Sequence, residues 1–182
     1  ANPTGPLHLG HTRWAAVGDC LARILIAAGA KVTREFYIND RGTQMDLFAA
    51  SLHAAAHGLP TPENGYHGAY IQELAQQIVD ADSGIMTLTG AEAIAAFREA
   101  GYRLQLTEQR EVLDTFGTHF DVWYSEKSLH DSGVVASVAK RLEEKGHVFH
   151  ADGATWLRTT DFGDDKDRVL VKADGELTYF TS

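Results

Sequence analysis

Residues 14 to 57 switch between two hydrophobic periods, and that switch limits the folds open to the chain. Trp14, Val17, Leu21, Ile24, Leu25 and Ala28 recur at three- and four-residue steps, which places them on one face of a helix. Gly29 is a stop signal. Lys31 to Ile38 is dense in β-branched and aromatic residues and predicts a strand. Asn39-Asp40-Arg41-Gly42 reads as a turn, and a second helix is predicted from about Thr43 to His57. Loop, helix, strand, turn and helix in that order is the rhythm of a parallel α/β sheet.

Beyond Pro60 and Pro62 the pattern changes. Helical periods run over about 69–81, 90–100, 102–116 and 132–145, with a short strand at Val122-Trp123-Tyr124. The rest reads as hairpins over 148–149, 154–158, 169–172 and 177–180, with Asp152-Gly153 and Asp174-Gly175 as turn signals. The expected organisation is residues 1–58 as the first part of an α/β domain and 59–172 as an insertion, helical and then hairpin-rich. Residues 173–182 are the return strand. The chain has 182 residues, opens on loop chemistry and ends on a strand with no closing element, so a piece of a longer protein is expected.

Composition narrows the function classes. Lys plus Arg is 16 against 25 Asp plus Glu, a net charge of −9. Affinity for phosphate backbones comes from Lys and Arg, so a module devoted to gripping nucleic acid is disfavoured. One cysteine, Cys20, excludes an internal disulfide framework and Cys-based zinc fingers. No apolar run approaches the roughly 20 residues of a membrane helix, and no signal-like segment opens the chain. The expected compartment is the cytoplasm, with no membrane partner.

The stretch richest in chemistry is 2–11, Asn-Pro-Thr-Gly-Pro-Leu-His-Leu-Gly-His. Two prolines stiffen it, two glycines permit close approach to the backbone, and a helix follows directly. A helix N-terminus offers unpaired N–H groups and partial positive charge to a phosphate, and an imidazole beside it can stabilise developing charge. A helix-capping loop with two surface histidines fits these facts equally well. Gly5 to Thr12 also fits the phosphate-loop pattern G-x-x-x-x-G-K-[ST] at all fixed positions but one; His11 stands where Lys is required, which disfavours that reading.

His8-Leu9-Gly10-His11 resembles the HIGH signature of class I aminoacyl-tRNA synthetases. With its surroundings the likeness sharpens: Asn2 to Leu7, Val17-Gly18-Asp19, Arg34 to Asp40, Gly42-Thr43-Gln44, Thr160 to Arg168 and Tyr179 to Ser182 together resemble the arginyl-tRNA synthetase family. The resemblance implies a Rossmann-like nucleotide-binding parallel sheet, here partial, interrupted by a connective insertion. It implies ATP-dependent activation of arginine to arginyl-adenylate and transfer to tRNA. His8 and His11 would be the catalytic pair, with Thr4, Gly5, Pro6 and Gly10 joining them around ATP. Asn2 and Tyr179 would face arginine. Asp40, at the carboxyl end of a predicted strand where open α/β sheets bind ligands, and Gln44, at the start of the next helix, are further candidates for the arginine side, and a turn or cap role fits Asp40 as well. Magnesium would arrive with ATP, and no protein-bound metal is predicted. The family's carboxylate four residues past the tyrosine falls beyond Ser182, and its lysine-rich second signature is absent from the sequence. The 182 residues alone are therefore expected to have little or no synthetase activity, with most tRNA contacts in regions outside them. The competing readings are another HIGH-bearing nucleotidyl transferase or class I synthetase, and a non-catalytic nucleotide- or partner-binding module.

Other candidates have plainer readings. His53 and His57 are four apart on a helix but lack a third ligand, so a solvated face is expected. The acidic run Asp161, Asp164, Asp165 and Asp167 lacks the glycine and terminal glutamate of a calcium loop and reads as a solvated loop. The mixed charges from Arg98 to Glu111 read as helix surface. Trp14, Trp123 and Trp156 are expected at core or subdomain interfaces, and Cys20 as a small buried residue.

Overall fold

The computed structural model describes residues 2–181. They divide into two compact units, the first ending at Ser125 and the second beginning at Glu126. In the first, helix α1 (Leu9–Ala27) leads to strand β1 (Glu35–Ile38), then helices α2 (Thr43–Ala56), α3 (Ala69–Ala81) and α4 (Gly90–Thr115), and strand β2 (Val122–Ser125). β1 and β2 pair in parallel, with Phe36 opposite Trp123 and Tyr37 opposite Tyr124. A parallel pair needs a long crossover, and the three intervening helices supply it. The expected α/β class with a parallel sheet is what the structure shows.

α4 explains how one helix serves two cores. Ala93, Phe97, Gly101, Gln105, Gln109 and Leu113 are buried at strict four-residue steps. Each step advances about 40° round a helix of 3.6 residues per turn, so the row winds about half-way round over its length. At its start Phe97 joins Met45, Phe48 and Leu52 of α2 and Ile71, Leu74 and Ile78 of α3. At its end Leu106 and Leu113 join Phe36 and Ile38 of β1, with Phe120 and Trp123 packed alongside. The sequence predicts two helices parted near Gly101. The structure has one, because Gly101 is where α2 crosses: a Cβ there would lie 2.3 Å from Leu52 Cδ1 and 3.1 Å from Phe48 Cε1. The glycine serves packing, and the helix continues through it.

The second unit holds helices α5 (Glu126–Asp131) and α6 (Val134–Glu144) and an antiparallel sheet of β3 (Val148–Ala151), β4 (Ala154–Leu157) and β5 (Arg168–Val171), in the order β3-β4-β5. Asp152 and Gly153, at φ 53° and 75°, make the tight hairpin turn that the dipeptide predicts. The strand predicted over 177–180 is not formed. Leu177 makes a single bridge to Val171, and Tyr179–Thr181 is a turn of 3-10 helix. The acidic loop closes on itself: Arg168 forks onto Asp164 at 2.8 and 2.7 Å, and Thr160 Oγ1 donates to Asp167 at 2.8 Å. The Arg168 guanidinium holds the Asp164 carboxyl well below the usual carboxylate range.

Four further expectations are corrected. The predicted strand from Lys31 begins only at Glu35. Trp14 is 72% exposed and Cys20 is exposed, because the apolar face of α1 lies open. His53 and His57 are half-buried; their rings stack at 4.3 Å, and both sit edge-on to Phe97. Burial, and then the neighbouring His57, lower the pKa of His53.

Candidate active site

The loop before α1 is poor in its own hydrogen bonds. Pro3 and Pro6 bring no N–H, and among the described residues no backbone–backbone bond holds 2–7. Side chains from the crossover helices replace them. Gln109 of α4 donates from Nε2 to both Asn2 O at 3.1 Å and Gly5 O at 2.9 Å. Tyr70 of α3 donates its hydroxyl to Thr4 O at 3.1 Å. Asn2 in turn donates from Nδ2 to Gln44 Oε1 on α2.

The loop ends at His8, the N-cap of α1, in extended backbone. Its Nδ1 accepts from Gly10 N–H at 3.1 Å, and His11 Nδ1 accepts from His8 N–H at 3.4 Å. This is a capping box made from two imidazoles, whose rings stack at 3.8 Å. A Cβ at Gly10 would stand 2.9 Å from His8 Cε1, so a glycine at that position lets the ring fold back onto the helix. The box also fixes chemistry. With Nδ1 of each ring accepting a backbone proton, the neutral rings carry their own proton on Nε2. Burial, and then the adjacent His8, push the His11 pKa below its ordinary value. The first turn of α1 contains no acidic residue to compete for an anion at the helix N-terminus.

These groups surround a cavity of about 470 Å³. Asn2, Thr4, Gly5 and Pro6 form one wall and His8 and His11 another. Gln44, Tyr66 and Tyr70 complete it. Seven of the residues singled out in the sequence thus meet in one place. Gly10 lies in the first helical turn, outside the lining. Asp40 is buried at the carboxyl end of β1, where its carboxylate accepts from Ser125 Oγ at 2.6 Å and from the Tyr102 hydroxyl. Burial, and then Asp40, raise the Tyr102 pKa to about 12, so the phenol stays a donor. Tyr179 lies in the second unit, and its side chain is outside the described residues. Tyr66, Tyr70 and Gln109 are not identified by sequence reasoning: Tyr66 sits in the connection between α2 and α3, and Tyr70 and Gln109 sit on helices whose pattern reports only packing. No group of three metal-ligating side chains occurs among the described residues.

Two further motif residues, Asp19 and Arg34, also meet. Asp19 of α1 pairs with Arg23 at 2.5 Å and with Arg34 at 3.5 Å, and Arg34 N–H donates to Asp121 at 2.7 Å. An apolar groove of about 500 Å³ runs beside this network, between α1 and residues 32–37, and His11 borders it as well as the first cavity.

A parallel α/β unit whose first helix opens beside a cavity belongs to the class of folds that take phosphate-bearing ligands at a helix N-terminus. The family model described as "tRNA synthetases class I (R), catalytic domain" matches residues 1–182, and the chain belongs to that family, the arginyl-tRNA synthetases. Arginine–tRNA ligase of Renibacterium salmoninarum is 59% identical over the whole chain, and that of Paenarthrobacter aurescens 55%. The chain spans 33% of the length of each. Among solved structures, a Campylobacter jejuni protein described as an arginyl-tRNA synthetase superposes with a TM-score of 0.87 at 31% identity, covering 100% of this chain and 41% of that one. Thermus thermophilus arginyl-tRNA synthetase gives 0.69 at 26%, covering 100% and 33%.

Proposed function

We propose that, within the full-length protein, this chain carries the adenylate-forming side of an arginine–tRNA ligase. The observation that carries the reading is the double-histidine cap, whose two Nε2–H donors stand beside a cavity at a helix N-terminus. In this reading ATP lies against His8 and His11, with Thr4, Gly5, Pro6 and Gly10 as its backbone cradle and magnesium arriving on its phosphates. Asn2 and Gln44 hold the amino-acid end of arginine. Asp40, at the carboxyl end of β1 where open α/β sheets take ligands, and Tyr179 serve its side chain.

The arginine carboxylate oxygen attacks the α-phosphorus, the bond to the bridging oxygen of the β-phosphate breaks, and pyrophosphate leaves. Negative charge grows on the phosphoryl oxygens, and the two imidazole N–H groups stabilise it. Because both rings are held by the backbone, they need no reorganisation when that charge develops. The adenylate is then consumed by the terminal adenosine of tRNA. The −9 charge of the chain supports the reading that most of the tRNA contacts belong to other parts of the full-length protein. Residues 1–58 and 173–182 are assigned to the Rossmann-like domain and 59–172 to its insertion. No helix among the described residues is long and apolar enough to cross a membrane, and the cytoplasm is the compartment proposed.

The test is ATP–pyrophosphate exchange by the full-length protein. Exchange should require arginine, and His8→Ala and His11→Ala should each lower kcat by about 10²–10³, the usual loss on removing a donor from a developing oxyanion. Exchange supported equally by another amino acid, or independent of His8 and His11, would overturn the reading.

A further inference from the structure

Gln109 has no place in the chemistry above, yet it is buried to 1% exposure and touches the loop that carries it. Both of its amide hydrogens are used on that loop, one on Asn2 O and one on Gly5 O. Its Oε1 is buried with no partner, so the residue carries a desolvated acceptor for the sake of its two donors. The two carbonyls also fix the amide's orientation, since the flipped amide would set Oε1 against two oxygens. Asn2 and Gly5 bracket Pro3 and Thr4, and the loop has no backbone ladder of its own.

We propose that Gln109 is a positioning residue: it clamps the 2–5 backbone from the last third of α4 and so fixes Asn2 and the histidine pair relative to one another. The inference rests on the arginine-activation reading. Tyr70 adds the third bond, on Thr4 O. Gln109 therefore couples the two substrate sides, since one amide holds the carbonyl of an arginine-side residue and that of an ATP-side residue. A displacement near 1 Å in such a site costs about 100-fold in rate.

The experiment uses the full-length protein and arginine-dependent ATP–pyrophosphate exchange, with rates normalised to active sites titrated by a single-turnover burst. Wild-type protein first tests the reading itself: absence of arginine-dependent exchange refutes arginine activation before any variant is made. Gln109→Met keeps the volume and removes the donors; Gln109→Glu keeps the shape and turns an acceptor toward two carbonyls. Gln105→Met is the control, because Gln105 is equally buried one turn earlier but bonds Glu108 and not the loop. We expect both Gln109 variants to lose about 10–100-fold in kcat with KM raised for arginine and ATP together, and Gln105→Met to stay within about twofold of wild type. A merely structural role lowers the melting temperature but leaves kcat per titrated site unchanged, and that result overturns the proposal. So does failure of both Gln109 variants to fold while Gln105→Met folds, since residue 109 would then be a folding determinant.

Discussion

His8 and His11 are ordinary histidines in composition and unusual in what their Nδ1 atoms do. Each is committed to a backbone N–H, so the tautomer follows from the helix cap. Protonation of His11 would set a ring N–H against the His8 amide. The His11 pKa in the folded chain lies below the 6.5 of an unperturbed histidine, and His53 shares that direction. As pH falls, the unfolded chain therefore takes up these protons first. Their stabilising contribution is complete above about pH 6.5 and is lost as pH drops from there through the folded values. The melting temperature should fall between pH 7.5 and 5.5, and less so in His11→Leu; an identical pH slope in the variant would show that the cap is not proton-linked. The histidine pair was legible in the sequence because its motif is local. Gln109 was not, because a contact between residues more than 100 positions apart leaves no mark on periodicity, and a buried glutamine on α4 looks like any other polar position.

At the level of elements, α4 is the organising piece. Its four-residue row of buried side chains turns round the helix and meets the α2–α3 core at one end and the sheet at the other. The tightest point is Gly101. Alanine there gains about 1 kcal/mol in helix propensity. Against that, its Cβ would fall 2.3 Å from Leu52 Cδ1, and both Leu52 and Phe48 are fully buried. Overpacking costs about 1–3 kcal/mol, and an overlap this deep belongs at the upper end, so Gly101→Ala should destabilise by about 1–2 kcal/mol net. Urea unfolding measures it; an equal or raised midpoint would mean that α2 moves aside freely. Most elements could be placed from periodicity. The predicted break at Gly101 failed because a small residue marks either a helix end or a close crossing, and only the third dimension separates the two. The strand predicted over 177–180 failed for a related reason: its residues are strand-like, but the pairing with β5 stops after Leu177 and Thr178, and the backbone then turns into 3-10 helix at Tyr179–Thr181.

On the scale of the molecule, α1 is the exception to a well-packed first unit. Of its residues only Ala22 is buried, while Trp14, Val17, Leu21 and Ile24 are more than half exposed. Contiguous apolar surface of this kind is uncommon on a chain that works alone. The chain expressed by itself should bind a hydrophobic dye such as ANS strongly, and Leu21→Lys with Ile24→Lys should reduce that signal with the helix content unchanged. Dye binding that survives the double substitution would place the exposed surface elsewhere.

The same face makes the protein its own optical probe. Trp14 stands on it in water, whereas Trp123 lies half-buried under the Arg110 guanidinium and Trp156 bonds Ala151 O within its sheet. Long-wavelength, quencher-accessible emission therefore belongs to Trp14. When another surface covers α1, that component moves to the blue, so a spectrum recorded without any label reports whether the face is bare or occupied.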